Sequence, residues 1–237
     1  MSAAPPLPNP TSRWLGWRNA LAITLLGCLL IGVGGFVVLG TVLPQRFSLW
    51  TAAILQQIGF ATGLAVIFAV IVGWQRSRGE TLAELGWRRP TRPGAIIAAV
   101  LLGVLYLGGS YFGVRELVPN ADPLAFHWAR VALAPLGIGM AIAEETMMRG
   151  FFMTELQRAR IATSVQIVAS GACSAIYHAL HERTLLGFLP AFVLFSLHAA
   201  LYVYGRRSLT PSIIAHSIYH VFGQPYLLMM VLTIVNR

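Results

Sequence analysis

Long apolar runs dominate this chain and decide the solvent it folds in. They span about residues 20–43, 49–74, 94–114, 127–157, 162–181, 185–204 and 209–235. A bilayer core of about 30 Å is crossed by roughly 20 apolar residues in a helix. Gly and Pro inside such runs do not veto helices in lipid, because neighbouring groups satisfy the freed backbone. The expected fold is therefore all-α, a polytopic transmembrane bundle of seven or eight helices. The count turns on the last run, which is interrupted at "FGQP", residues 222–225. With 57% hydrophobic residues, 11% charged and a mean hydropathy of +0.70, little is left for an extramembrane domain. A single transmembrane domain over residues 20–237 is expected, behind a Pro-rich tail over residues 1–19 that reads as disordered. The first run exceeds a signal-peptide core and reads as an uncleaved helix.

The net charge is +9, and all 17 cations are arginines. Most fall in short linkers between apolar runs, as the positive-inside bias requires, and not on one polar face that meets phosphates, so nucleic acid is excluded as a partner. With the N-terminus inside, that side receives Arg13, Arg18, Arg76, Arg78, Arg88, Arg89, Arg92, Arg158, Arg160, Arg206 and Arg207. The outer side receives Arg46, Arg115, Arg130 and Arg183. An integral protein of a bacterial inner membrane with a cytoplasmic N-terminus is expected, and the lipid bilayer is its first partner. The linker of residues 75–92 sets Leu82, Leu85 and Trp87 among arginines and predicts a short interfacial helix. Cys28 and Cys173 each sit inside a run without CxxC or Cys/His spacing, which predicts small core residues and no disulfide or cysteine zinc site.

One stretch breaks the apolar pattern. "AIAEETMMRG", residues 141–150, places Glu144, Glu145 and Arg149 inside a span, where each charge costs a few kcal/mol on insertion scales. Adjacent glutamates point about 100° apart on a helix, whereas Glu145 and Arg149, four apart, share a face. Glu145 and Arg149 are thus expected to pair, leaving Glu144 turned elsewhere. Histidines gather downstream: His178 and His181 in "YHALHE", His198 in "FSLHAAL", His216 and His220 in "AHSIYHVF". A lone intramembrane histidine is most often a helix–helix hydrogen-bonder, and His198 is read so. Counted from the turn near residue 161, Glu144 and His181 lie at ~25 Å and ~30 Å, close enough to meet across a hairpin. His216 lies only ~14 Å past Arg207 and needs a tilted or deeper-starting helix to join them.

These residues allow two chemistries. A glutamate assisted by histidine acts as a general base toward water, with other donors stabilising the oxyanion. Alternatively His216 and His220, spaced by four, present two zinc ligands on one face with a carboxylate opposite. The metal candidates are Glu144, His181, His216 and His220. The residues alone leave both open.

The same residues resemble the CAAX protease and bacteriocin-processing family (CPBP, or Abi), which includes type II CAAX prenyl endopeptidases. Glu144, Glu145 and Arg149 match its EExxxR motif, followed by Gly150. Tyr177 and His181 match FxxxH, with Tyr at the aromatic position. His216 matches the third-motif histidine, and His220 takes the place usually held by Asn. The match covers about residues 125–222 with order and spacing kept. The resemblance implies an intramembrane endopeptidase in which Glu144 and His181 activate water while His216 and His220 support the transition state. Glu145, Arg149 and Tyr177 would shape the site. It requires no cofactor on the glutamate reading and zinc on the metalloprotease reading. The implied partner is a peptide or protein substrate, prenylated or membrane-embedded. Two alternatives stand beside it: a non-proteolytic immunity or scaffold protein of the same family, and a proton-coupled transporter, against which the lack of internal repeats weighs.

Overall fold

The computed structural model describes residues 10–31, 46–118, 120–182 and 188–235, with side chains left undescribed at 10–17, 181, 182, 231, 234 and 235. It is all helical. Among these residues eight helices follow one another: α1 Pro10–Leu29, α2 Leu49–Ser77, α3 Gly94–Leu117, α4 Trp128–Arg158, α5 Thr163–Glu182, α6 Phe188–Tyr204, α7 Leu209–Gly223 and α8 Tyr226–Val235. Of these, α2, α3 and α4 are long and apolar enough to cross a bilayer, while α6 and the Arg18–Leu29 part of α1 are shorter apolar helices. Helix α1 takes in residues 10–19, which were expected to belong to a disordered tail. The last apolar run is two helices. Gly223 ends α7, and Pro225 has no N–H with which to continue it.

Small residues set the packing. On α3, Ala95, Ala99 and Gly103 face inward, whereas Leu101, Leu105 and Phe112 face outward. Large apolar side chains thus meet lipid and small ones let backbones approach, the pattern expected where lipid is as apolar as the core. A Cβ on Gly103 would lie 2.8 Å from the Ala215 carbonyl of α7, and one on Gly137 of α4 would lie 2.9 Å from the His220 Cβ. Helix α7 is therefore held between α3 and α4, α5 packs on α6, and α2 packs on α4 and α8.

Helix α4 is not uniform. It is α-helical over Trp128–Glu145, π-helical over Thr146–Phe152 and α-helical again over Met153–Arg158. Side chains absorb the altered ladder: the Thr146 hydroxyl donates to the Ile142 carbonyl at 2.7 Å, and the Ser170 hydroxyl of α5 donates to the Met148 carbonyl at 3.1 Å. Below it, Arg78 and Glu80 from the end of α2 close a ring of ion pairs with Glu155 and Arg158, each link at 2.5–3.0 Å.

The linker after α2 holds a 3-10 turn, Leu82–Leu85, in place of the interfacial helix expected, opened by a Thr81/Glu84 capping box. Leu85 is fully buried, and its carbonyl would lie 2.7 Å from a Cβ on Gly150. Gly86 adopts φ +91° and its carbonyl accepts the Leu209 N–H at 2.9 Å. The start of α7 thereby docks beside Gly150, several residues short of the end of α4. This offset brings His216 level with Glu145, and it is why a depth counted from Arg207 fell short. Cys28 and Cys173 are free and buried, as expected.

Candidate active site

Four helices bring the polar residues together. Glu144 and Glu145 close the first part of α4, Arg149 lies in its π segment, Tyr177 and His178 come from α5, His198 from α6, and His216 and His220 from α7. All are buried except His178, which is partly exposed.

The two glutamates turn to different surroundings. Glu145 is enclosed by donors: Arg149 Nε lies 3.3 Å from its Oε2, while His216 Nδ1 and His198 Nδ1 lie 2.9 Å and 3.2 Å from its Oε1. Arg149 reaches onward, donating from its guanidinium to the Phe195 carbonyl at 2.9 Å and stacking over that ring at 5.2 Å. This unit fastens α4 to α6 and α7. The pairing of Glu145 with Arg149 is as the spacing predicts.

Glu144 is nearly bare by comparison. Its nearest partners are His178 Nε2 at 3.8 Å and His216 Nε2 at 3.9 Å, and its Oε1 is buried without a hydrogen bond among the described residues. It faces a cavity of about 80 Å³ that Tyr177, His178, His216, His220 and Gln224 also line. That is room for more than one water.

His216 joins the two halves. A carboxylate only accepts, so His216 donates from Nδ1 to Glu145 and turns its Nε2 to the cavity. His220 Nε2 lies 3.1 Å from that nitrogen. The ligand atoms of Glu144, His216 and His220 all fall within 4.8 Å of one another, as do those of Glu145, His198 and His216. The first set offers two imidazoles and a carboxylate around a cavity, the donor chemistry of a three-ligand zinc site. The second is less suited, because Arg149 already neutralises its carboxylate.

Of the residues singled out in the sequence, Glu144, Glu145, Arg149, Tyr177, His216 and His220 thus lie together. His181 lies in the last turn of α5, and its side chain is outside the described residues. Sequence reasoning named His178 without giving it a role and read His198 only as a helix–helix hydrogen-bonder, without naming Glu145 as the group it approaches. For His198 a signal existed: Arg149 alone does not supply the donors that a fully buried carboxylate needs, so a second donor had to come from another helix. His178 lies three residues from His181, and spacing alone did not say which of them faces Glu144.

Fold and site define a helical integral membrane protein built around a buried glutamate–histidine cluster. More particularly, residues 126–222 match the family model described as Type II CAAX prenyl endopeptidase Rce1-like. That match bears out the resemblance to the CAAX protease family drawn from the three motifs. No curated protein and no solved structure matches the chain.

Proposed function

We propose that this protein is an intramembrane endopeptidase in which Glu144 activates a water held in the cavity and directs it at a peptide carbonyl. One observation carries the reading: Glu144 is a buried carboxylate whose Oε1 has no hydrogen bond among the described residues and which faces a polar cavity, while its neighbour Glu145 is ion-paired with Arg149 and hydrogen-bonded by His216. An unpaired buried carboxylate is costly, and a water to deprotonate is the use such an oxygen fits. Glu144 takes the proton of the attacking water. His178 lies beside its Oε1, and His181 assists by the resemblance. His216 and His220 face the same space and support the developing oxyanion. The substrate is a peptide, prenylated or membrane-embedded, which agrees with an apolar groove of about 630 Å³ between α3 and α6. That groove shares Tyr106, Ser110 and Met230 with the polar cavity.

A second reading has its own observation. The convergence of Glu144, His216 and His220 fits zinc, whose role there would be to polarise a bound water or carbonyl.

The test uses purified wild type and Glu144→Gln with prenylated and unmodified fluorogenic peptides. Wild type should cleave, and the variant should lose at least about 100-fold in kcat/KM, the usual scale for a general base. Retained activity in Glu144→Gln would remove it from the chemistry. Loss of wild-type activity with chelator, restored by zinc, would favour the metal reading. Peptide binding without any cleavage would favour a scaffold or immunity protein.

A further inference from the structure

Gln224 is a polar residue of the cavity to which neither motif nor chemistry has given a task. It follows the last residue of α7 and is only 5% exposed. Its backbone N–H still bonds the His220 carbonyl at 3.2 Å, so its side chain continues the row begun by His216 and His220. It lines the same cavity as Glu144, His178 and His220. Its Oε1 is buried without a partner among the described residues. A buried carboxamide oxygen with nothing to accept forfeits about 1–3 kcal/mol, which a ligand donor at that point would recover.

We infer that Gln224 is a peptide-binding residue whose Oε1 accepts one backbone N–H of the substrate. This rests on the peptide-cleaving reading and adds a contact remote from the cut. Gln224 lies four residues after His220 and eight after His216, or ~6 Å and ~12 Å along the helical row. An extended peptide advances ~3.4 Å per residue. The amide that Gln224 receives is therefore about two to four residues from the scissile bond, and the contact sets which bond lies over Glu144. It is made equally in the ground and transition states, so its loss raises KM and spares kcat.

The decisive experiment measures binding, so that it does not depend on turnover. A fluorescein-labelled peptide ending in a farnesylated cysteine and three aliphatic residues is titrated, by anisotropy, into Glu144→Gln and Glu144→Gln/Gln224→Leu. A set of the same peptide, each N-methylated at one amide, follows. The double variant should bind the parent about tenfold more weakly. N-methylation at one amide, about two to four residues from the cleaved bond, should weaken binding to Glu144→Gln by the same factor and leave the double variant unaffected. Gln224→Glu, which keeps an acceptor, should retain the sensitivity to N-methylation. Thermal midpoints in detergent check that each variant is folded.

Equal binding of the parent by both proteins overturns the inference, as does a difference that no single N-methylation removes, or absence of binding by Glu144→Gln. Wild-type cleavage, measured in parallel, reports separately on the protease reading. Cleavage with equal binding sinks only the Gln224 contact, and Gln224-dependent binding without cleavage sinks only the protease.

Discussion

Adjacent glutamates with opposite surroundings make different predictions. Glu145 and Arg149 are fully buried and mutually dependent. Arg149→Ala strands a carboxylate and should cost about 3–5 kcal/mol, seen as a lowered unfolding midpoint and reduced yield. Glu145→Gln/Arg149→Met removes both charges and should recover part of that loss, because an uncharged pair leaves no stranded ion. His178→Ala concerns chemistry instead. Its ring is 3.8 Å from Glu144 and partly exposed, so kcat/KM should fall about tenfold or more with little change in midpoint. An unchanged kcat/KM would leave the assisting role to His181 alone. At this scale the sequence was readable where partners share a helix, as in the i, i+4 pair. It was silent where they do not, since no spacing within one helix says that His198 and His216 approach the same oxygen.

Helices place these groups by touching through their smallest residues. Gly103→Leu would push the Ala215 backbone away and should destabilise by about 1–3 kcal/mol while lowering turnover, because α7 carries both His216 and His220. Gly139→Ala serves as the control. Nothing lies within 4 Å of a Cβ there, and it should leave midpoint and turnover unchanged or raise the midpoint slightly. Helix positions were legible from apolar runs, and the break before Pro225 from its ring. The π segment was not, since "TMMRGFF" is as apolar and as helix-compatible as its flanks. Nor was the inward tuck of the 82–85 turn, which depends on Gly150 accepting its backbone.

Across the whole molecule, contacts gather the arginine-rich ends on one side. The ring of Arg78, Glu80, Glu155 and Arg158 joins the ends of α2 and α4, and Arg88 donates to the Arg206 carbonyl at 2.8 Å, joining the linker to the α6–α7 turn. These are the segments that arginine counting assigns to the cytoplasm. A cysteine introduced at Arg89 should react with an impermeant maleimide in inverted vesicles and not in intact cells, and one at Leu124 should do the reverse. The opposite pattern would invert the topology. Native Cys28 and Cys173 are buried and give a low background. Charge supplies an expectation of sidedness, which the labelling tests. Which helix neighbours which could not be read from the sequence, because in lipid that choice rests on shape.

The π segment of α4 has a consequence for how the chain tolerates changes of length. A π turn holds about one residue more than an α turn, so the parts of α4 on either side of Thr146–Phe152 are rotated by roughly 100° from the phase a regular helix would give them. Glu144 and Glu145 are aimed by one phase, and Glu155 and Arg158 by the other. A chain one residue shorter here would be a more regular helix, yet it would meet either the histidines or the partners on α2, never both. A single-codon deletion in this turn therefore costs more than a substitution on the exposed face of α4, such as at Gly139.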